Sequence, residues 1–437
     1  MTDAQHTATS APSAPARIQA APYATPDAPA AGAIADPDLI NEDLAPLKKQ
    51  TWGTYNVFAF WMSDVHSVGG YVTAGTLFAL GLPAWQVLAA LLIGISLVYV
   101  FCNLVSEPSQ RSATPFPVVC RGSFGVRGAN VPAFIRGVIA VAWYGIQTYL
   151  ASHSLVILAL KAWPGLAPWA DEEAHGFLGL SAVGVFLGAV ALVVSYFSGP
   201  MLNFGDISRY GRSAKAVRRG NLLGLPVNFL VFSILVVVTA SATVPVYGGL
   251  ITDPVETVAH LDNGVALALG AFTFMVATIG INIVANFIAP AFDFSTIAPR
   301  RISWRMGGMI AAVGSVLLTP WNLYSSPDVI HYTLDTLAAF IGPVFGVLVT
   351  WYWVIARRRI HVDHLFTMNP EGRYHYRSGW NVRALAATAL GAAVAMSAIL
   401  VPAWSGLANF SWFLGAGAAA AANLLLHSLP ERKETTR

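Results

Sequence analysis

The stretch Ser63-Asp64-Val65-His66-Ser67-Val68-Gly69-Gly70 lies in the middle of the first long apolar segment of the chain, residues 53–80. A helix in lipid normally keeps all its backbone hydrogen bonds, so a polar, glycine-rich interruption indicates an unwound segment that lines a cavity. A second such stretch, Tyr196-Phe197-Ser198-Gly199-Pro200, lies in a later apolar segment, residues 177–205. The two stretches predict two broken helices, whose exposed carbonyls and helix ends suit a cation and a polar solute.

The rest of the chain is also strongly apolar. Of its 437 residues, 55% are hydrophobic and 11% are charged, and the mean hydropathy is +0.59. Ten apolar runs are long enough to cross roughly 30 Å of hydrocarbon. They cover residues 53–80, 84–106, 131–162, 177–205, 222–247, 264–290, 303–320, 332–356, 381–401 and 407–427. We therefore predict an all-α polytopic membrane protein with no soluble catalytic domain, and its two cysteines do not indicate a disulfide framework.

Charged residues alternate between successive loops. The basic loops contain Arg111, Arg121, Arg127, Arg209, Arg212, Lys215, Arg218, Arg219, Arg300, Arg301, Arg357, Arg358 and Arg359; the acidic loops contain Asp171, Glu172, Glu173, Asp253, Glu256, Asp262 and Asp328. The positive-inside rule then places both termini in the cytoplasm, in a multi-pass protein of the cytoplasmic (inner) membrane. Residues 1–45 are predicted to be a disordered cytoplasmic tail, 46–428 the transmembrane domain and 429–437 a second cytoplasmic tail.

Asp64 and His66 form an ionisable pair deep within the first predicted span. A charge there costs about 2.5 to 3.5 kcal/mol on insertion scales, so an intramembrane carboxylate suggests a functional role. The alternative is a neutral, hydrogen-bonded Asp64 that closes a helix contact, beside a structural His66. An enzymatic dyad is disfavoured, because residues two apart on a helix point roughly 200° from each other.

Aromatic and amide side chains recur one helical turn apart in two further spans. Trp143 and Gln147 share one helix face, which offers a flat stacking surface beside an amide that can both donate and accept hydrogen bonds. Asn282 and Asn286 have the same spacing. These residues suit a planar ring with alternating N–H and C=O groups. The alternative is that they hold neighbouring helices together.

An ordered set of short motifs resembles the nucleobase:cation symporter-1 family, which includes hydantoin, allantoin, uracil and cytosine permeases. The motifs are Phe124-Gly125-Val126-Arg127-Gly128, Trp143 to Gln147, Asp206-Ile207-Ser208-Arg209-Tyr210, Ala285-Asn286, Ala289-Pro290, Pro320-Trp321, Gly342-Pro343 and Arg357 to Arg359. The resemblance covers nearly everything from Asp43 to about Leu426. It implies a LeuT-type inverted-repeat fold with alternating access and a central site at the broken first helix.

The resemblance also implies roles for individual residues in solute binding. The indole that stacks on the solute ring falls on Trp143, its amide partner on Gln147 and the second aromatic on Phe197. The asparagine of the site falls on Asn286, with Asn282 one turn before it, and Ser67 occupies another position that faces the solute. Phe197 stands where the family's sodium-hydantoin transporter has Trp, which keeps a stacking face but removes an N–H donor.

The cation site that the resemblance implies is incomplete. Its carbonyl donors would come from Ser63, His66 and Ala277, but the two expected hydroxyl ligands fall on Gly280 and Ile281. Sodium is poorly coordinated by carbonyls alone, so a proton carried by Asp64 or His66 becomes the favoured coupling ion, with sodium as the alternative. The acidic residue often found in the eighth span is here Trp351.

The family has twelve spans, and this chain is predicted to have ten. Two helices are missing between the span of Trp143 and the span of Phe197, because only 49 residues separate Gln147 from Phe197. Losing a pair preserves the alternation of charge. The resemblance implies that neighbouring spans lose packing partners, so weak solute binding and poor transport are expected.

The sequence therefore predicts a membrane carrier rather than an enzyme: a symporter of a nucleobase or related cyclic ureide or hydantoin, coupled to a cation. The alternative is a truncated, non-transporting protein of the same family that only binds or senses its solute. An intramembrane enzyme is disfavoured by the geometry of Asp64 and His66. The predicted partners are the heterocyclic solute and the lipid bilayer, without an organic cofactor or a nucleic acid, and the chain is expected to be a monomer.

Overall fold

A computed structural model describes residues 35–162, 182–260, 263–323 and 327–429. These ranges are helical almost throughout, as the hydropathy predicts. The α-helices are α1 Thr54–Val65, α2 Val68–Ala79, α3 Ala84–Ser112, α4 Phe116–Phe124, α5 Asn130–Ala162, α6 Ala182–Leu202, α7 Gly205–Ser208, α8 Ala214–Leu222, α9 Asn228–Tyr247, α10 Pro254–Ala259, α11 Gly264–Ile281, α12 Ile288–Ile297, α13 Trp304–Leu317, α14 Pro320–Leu323, α15 Pro327–Thr350, α16 Val382–Leu400 and α17 Ser411–Ser428. Short 3₁₀ segments lie at Val362–Phe366 and Pro402–Phe410.

The first predicted span is broken where the sequence indicates. α1 ends at Val65, His66 leaves the helical region with φ −86° and ψ 80°, and Ser67 is extended. The Ser67 hydroxyl accepts a hydrogen bond of 3.0 Å from the Gly70 amide and so caps α2. The break at residues 66–67 is therefore confirmed, and it leaves helix ends within the first apolar segment.

The second predicted break does not occur in the described part of its segment, and that prediction is wrong. α6 runs from Ala182 to Leu202 with Pro200 inside it. A proline removes one backbone donor, but neighbouring groups can satisfy the affected carbonyls in a membrane helix. Beside Pro200, Arg136 Nε donates to the Gly199 carbonyl (3.3 Å), which binds this end of α6 to α5.

Within the described ranges, three helices contain π-helical turns that are not evident from the sequence. These turns are Leu223–Val227, Asn282–Phe287 and Trp351–Ile355. The first contains Pro226, whose ring disturbs the regular bonding pattern. The second holds both asparagines of the predicted solute site, and π turns of this kind are often found at functional sites.

Seven helices within the described residues are long and apolar enough to cross a membrane, and they match seven of the ten predicted spans. The other three predicted spans correspond to the short helices α1 and α2, to the 33-residue α5 and to the 14-residue α13. Exposed apolar side chains repeat at helical spacing on α9 and α11, as expected for faces in contact with lipid. They include Val231, Leu235, Val238, Leu269, Phe272 and Val276.

The segment of residues 35–45 differs from the predicted disordered tail. Leu39, Ile40 and Leu44 are buried, and the Asp36 amide donates to the Phe366 carbonyl. The Asp43 carboxylate accepts a hydrogen bond from the Trp304 amide, which begins α13. Polar residues in this segment therefore bind helix ends rather than water alone. Residues 1–34 and 430–437, and the acidic residues at 171–173, lie outside the described residues.

Candidate functional site

The break between α1 and α2 meets α5 and α6. The Ser67 hydroxyl lies 3.3 Å from the Tyr196 hydroxyl of α6. Gln147 of α5 packs directly on Gly69, since a Cβ built on that glycine would lie only 2.9 Å from the Gln147 amide nitrogen. The structure thus brings Ser67 and Gln147, two predicted solute-site residues, to the same helix end.

Aromatic rings line the same region. The Trp143 ring meets the Tyr196 ring edge-on, with centroids 5.4 Å apart. Phe197 instead makes edge contacts with Tyr196 (5.1 Å) and with Phe229 of α9 (5.4 Å). Tyr196, which the sequence analysis does not select, is therefore the aromatic residue of α6 that lies beside Trp143.

The two asparagines are not equivalent. Asn282 donates to the Tyr144 carbonyl (3.1 Å) and the Thr148 hydroxyl (2.9 Å), so it fastens the π turn to α5. Asn286 donates to the Asn282 side-chain oxygen (3.2 Å) and is 4% exposed. Asn282 thus uses its amide on the protein, which leaves Asn286 as the better candidate for contact with a solute.

Gln147 carries an unsatisfied polar atom. Its side chain is 1% exposed, and its Oε1 has no hydrogen-bond partner among the described residues. A buried amide oxygen left unpaired costs roughly 1 to 3 kcal/mol. An N–H donor from a bound molecule would satisfy it, one helical turn from the Trp143 ring.

The predicted cation residues lie where α1 approaches α11. The Ser63 hydroxyl would lie 2.9 Å from a Cβ built on Gly280, so these two residues are neighbours. Asp64 is 1% exposed, whereas His66 is half-buried, contacts the Met62 carbonyl through Nδ1 (3.0 Å) and packs edge-on to Phe232. Asp64 and His66 therefore have separate surroundings, in agreement with their predicted divergence.

A small cavity lies beyond the asparagines, toward the basic loops. Its volume is about 10 Å³, which is room for about one water molecule. Phe60, Pro200, Asn203, Asp206 and Ala285 are among its lining residues. A heterocyclic solute does not fit into a cavity of this size.

Several known proteins are similar to this chain over most of its length. The family described as permease for cytosine/purines, uracil, thiamine and allantoin matches residues 45–180 and 165–415. An allantoin permease of Bacillus subtilis (strain 168) is 31% identical, over 86% of this chain and 91% of the relative. A hydantoin permease of Microbacterium maritypicum is 23% identical, over 82% of this chain and 84% of the relative.

The fold is similar to that of Mhp1, described as a nucleobase-cation-symport-1 family transporter. In its closed conformation with bromovinylhydantoin bound, Mhp1 matches with a TM-score of 0.69 and 20% identity, over 89% of this chain and 95% of Mhp1. Its inward-facing conformation matches with a TM-score of 0.70.

One alignment leaves many positions of the relative without a counterpart in this chain. The alignment with the Bacillus relative has 448 positions, but 86% of 437 residues is about 376, so about 72 positions of the relative have no counterpart here. The two matched ranges of the family meet at residues 165–180. That segment lies between Gln147 and Phe197, where the sequence analysis predicts two missing helices.

Proposed function

Since this chain belongs to the family of permeases for cytosine/purines, uracil, thiamine and allantoin, we propose that it is a symporter of a nucleobase or related cyclic ureide or hydantoin. The family consists of permeases rather than enzymes, and the apolar helices make this a multi-pass membrane protein. The observation that carries the proposal is the buried, unpaired Oε1 of Gln147, one turn from the Trp143 ring.

The proposed solute is flat and carries N–H groups along one edge. Its ring stacks on Trp143, with Phe197 as the second aromatic, and an N–H group donates to Gln147 Oε1. Asn286 and Ser67 supply further polar contacts, and Asn282 holds Asn286 in place. Cyclic ureides are favoured because two relatives are named as an allantoin permease and a putative allantoin permease.

The proposed coupling ion is a proton, with sodium as the alternative. Gly280 and Ile281 carry no side-chain oxygen, although the Ser63 hydroxyl lies against Gly280. Hard cations such as sodium are best held by several oxygen ligands, and the carbonyls of Ser63, His66 and Ala277 are too few on their own. Asp64, buried and with Oδ1 unpaired, is a better proton carrier than the half-buried His66.

We place the protein in the cytoplasmic membrane with both termini in the cytoplasm, because the arginine-rich loops lie on one side of the predicted spans. A monomer is proposed, since one chain contains all the residues of the site.

The experiment that tests the proposal is a solute panel on the purified protein. Uracil, cytosine, allantoin and hydantoin are titrated while tryptophan fluorescence is recorded, and labelled solute is then followed into proteoliposomes. We expect quenching by at least one cyclic ureide and uptake driven by a pH gradient. If no solute of the panel quenches the fluorescence or is taken up, the proposed function is ruled out.

The unmatched positions of the Bacillus relative support a second candidate, a truncated, non-transporting family member that only binds or senses its solute. Two absent helices would leave the first repeat of the fold without part of its packing. Saturable quenching without uptake or exchange in proteoliposomes would favour this candidate over the symporter.

A further inference from the structure

A group of buried charged side chains lies beside the small cavity. Asn203 Nδ2 donates to Asp206 Oδ2 and to Asp293 Oδ2, each at 3.1 Å. Asp206 follows α6, whereas Asp293 belongs to α12, so the Asn203 amide fastens these two elements together. Both carboxylates are at most 1% exposed.

A buried arginine faces this pair. Arg136 of α5 is 1% exposed, and NH1 and NH2 of its guanidinium have no hydrogen-bond partner among the described residues. It is near enough to Asp293 and Asp206 for its charge to interact with theirs. Its Nε is held by the Gly199 carbonyl, one turn before Asn203. The Arg136 guanidinium can therefore form an ion pair with a nearby carboxylate, and no such pair is present in the part of the chain that the structure describes.

The two carboxylates differ in their hydrogen bonds. Asp206 accepts from the Phe116 amide (2.8 Å) as well as from Asn203, so both its oxygens have donors, as an ionised carboxylate requires. Within the described part of the chain, Asp293 accepts from Asn203 alone, and its Oδ1 is buried without a partner. Two carboxylates that share one donor in a dry site repel each other when both are ionised.

We propose that Asp293 holds a proton on Oδ1 that keeps the route to the cytoplasm closed, and that Arg136 takes the place of this proton when it leaves. Protonation forms one O–H bond on Asp293 and leaves Asp206 as the only anion of the pair. When the proton leaves for the cytoplasm, the ionised Asp293 is repelled by Asp206 and attracted by Arg136. Asp293 then turns from Asp206 toward Arg136, the Asn203 bridge breaks, and α12 moves away from Asp206, which opens the cavity.

Other charged groups near Asp293 are compatible with this mechanism. On α4 the Cys120 thiol is neutral, because burial raises its pKa well above the ordinary value. After α7, the Arg209 guanidinium is held by the Asp43 and Ala45 carbonyls (both 2.9 Å). On α13, Arg305 is exposed. Arg136 is therefore the cation best placed to respond to Asp293.

The inference rests on the proposed function, since a route to the cytoplasm needs a carrier, but its test needs no solute. The first measurement is an infrared pH titration of the purified protein, which detects the C=O band of a protonated carboxylic acid. We expect a titrating band that is weakened in Asp293→Asn and retained in Asp335→Asn, a matched change of a buried carboxylate on α15. Other buried carboxyls such as Asp64 can contribute to this band, so the comparison is of its intensity. A titrating band in Asp293→Asn that is as strong as in the parent would overturn the proposal.

The second measurement follows the opening of the cavity. Ala289→Cys places a thiol on the wall of the cavity, and a membrane-impermeant maleimide is applied from the cytoplasmic side. The parent chain is the control, because its native Cys102 and Cys120 are fully buried. Each rate is divided by that of the denatured protein at the same pH. We expect labelling to rise with pH by up to about tenfold per unit, since one proton controls the equilibrium.

When Ala289→Cys is combined with Asp293→Asn, the thiol should react slowly at every pH. When it is combined with Asp335→Asn, the pH dependence should match that of Ala289→Cys alone. Equal pH dependence in Asp293→Asn would refute the inference. If Asp293→Asn does not fold, Arg136→Gln is tested instead. Removing the cation should shift the pH dependence of the labelling rate to higher pH. An unchanged pH dependence would refute the role of Arg136. If labelling behaves as expected but no solute binds, the proposed function fails and the proton site stands.

Discussion

The Tyr196 hydroxyl lies 3.3 Å from the Ser67 hydroxyl, and this contact joins α6 to the residue that caps α2. Tyr196 also meets the Trp143 ring edge-on. One side chain therefore connects the helix break with the proposed stacking surface.

Tyr196→Phe keeps the ring and removes the hydroxyl. Because a net hydrogen bond contributes about 0.5 to 1.5 kcal/mol, we expect solute affinity to fall by roughly two- to tenfold. Fluorescence quenching measures the affinity, and Tyr332→Phe on the exposed face of α15 is the control. Equal affinity in the two variants would show that the contact with Ser67 does not support the site.

Trp143→Ala and Gln147→Ala remove the stacking surface and the edge contact separately. Each is expected to weaken solute binding by roughly 1 to 3 kcal/mol while expression stays intact. Binding is measured by equilibrium dialysis with labelled solute, because Trp143 is itself a fluorophore. If both variants bind as well as the parent, the solute site lies elsewhere.

Gly69→Ala tests the close contact between the helix break and Gln147. The added methyl group would lie 2.9 Å from the Gln147 amide nitrogen and 3.3 Å from the Tyr196 hydroxyl, so the flexible amide must move. We expect normal folding and weaker solute binding. Gly417→Ala in α17, where a methyl group meets nothing within 4 Å, is the matched control and should bind normally.

The identity of the coupling ion is tested by exchanging ions. Solute binding or transport should respond to pH and hardly change when potassium replaces sodium, because Gly280 and Ile281 supply no oxygen ligand. The measurement is solute affinity in matched sodium and potassium buffers. Strong sodium dependence that persists in Asp64→Asn would mean that the ion site has been misplaced.

The predicted loss of two helices should affect solute binding and uptake. The resemblance implies a five-plus-five repeat in which this chain would have three helices facing five. We therefore expect the chain to insert, to bind solute weakly and to transport it poorly or not at all, compared with the Bacillus allantoin permease. Adding two spans should raise uptake. The insertion belongs before Ala182, because an insertion further along the chain would interrupt α6. Uptake as fast as in the relative would show that the pair is dispensable.

The helix break at residues 66–67 can be predicted from sequence, because polar residues next to paired glycines weaken a helix in an otherwise apolar segment. Pro200 leads to a wrong prediction, because a membrane helix tolerates a proline and a Gly-Pro pair does not by itself mark a break. The π turn that holds Asn282 and Asn286 depends on tertiary contacts with α5. Tyr196 escapes the prediction because its neighbour Phe197 occupies the position that the family resemblance selects.

Packing of residues 35–45 has a consequence for the order in which the chain folds. The segment is synthesised early, yet its partners are Arg209, the Trp304 amide and the Phe366 carbonyl. Synthesis proceeds from the N-terminus, so this segment cannot make these contacts until most of the helices have been synthesised. The first part of the described chain to be made is therefore among the last to dock, and its docking can mark the completion of assembly.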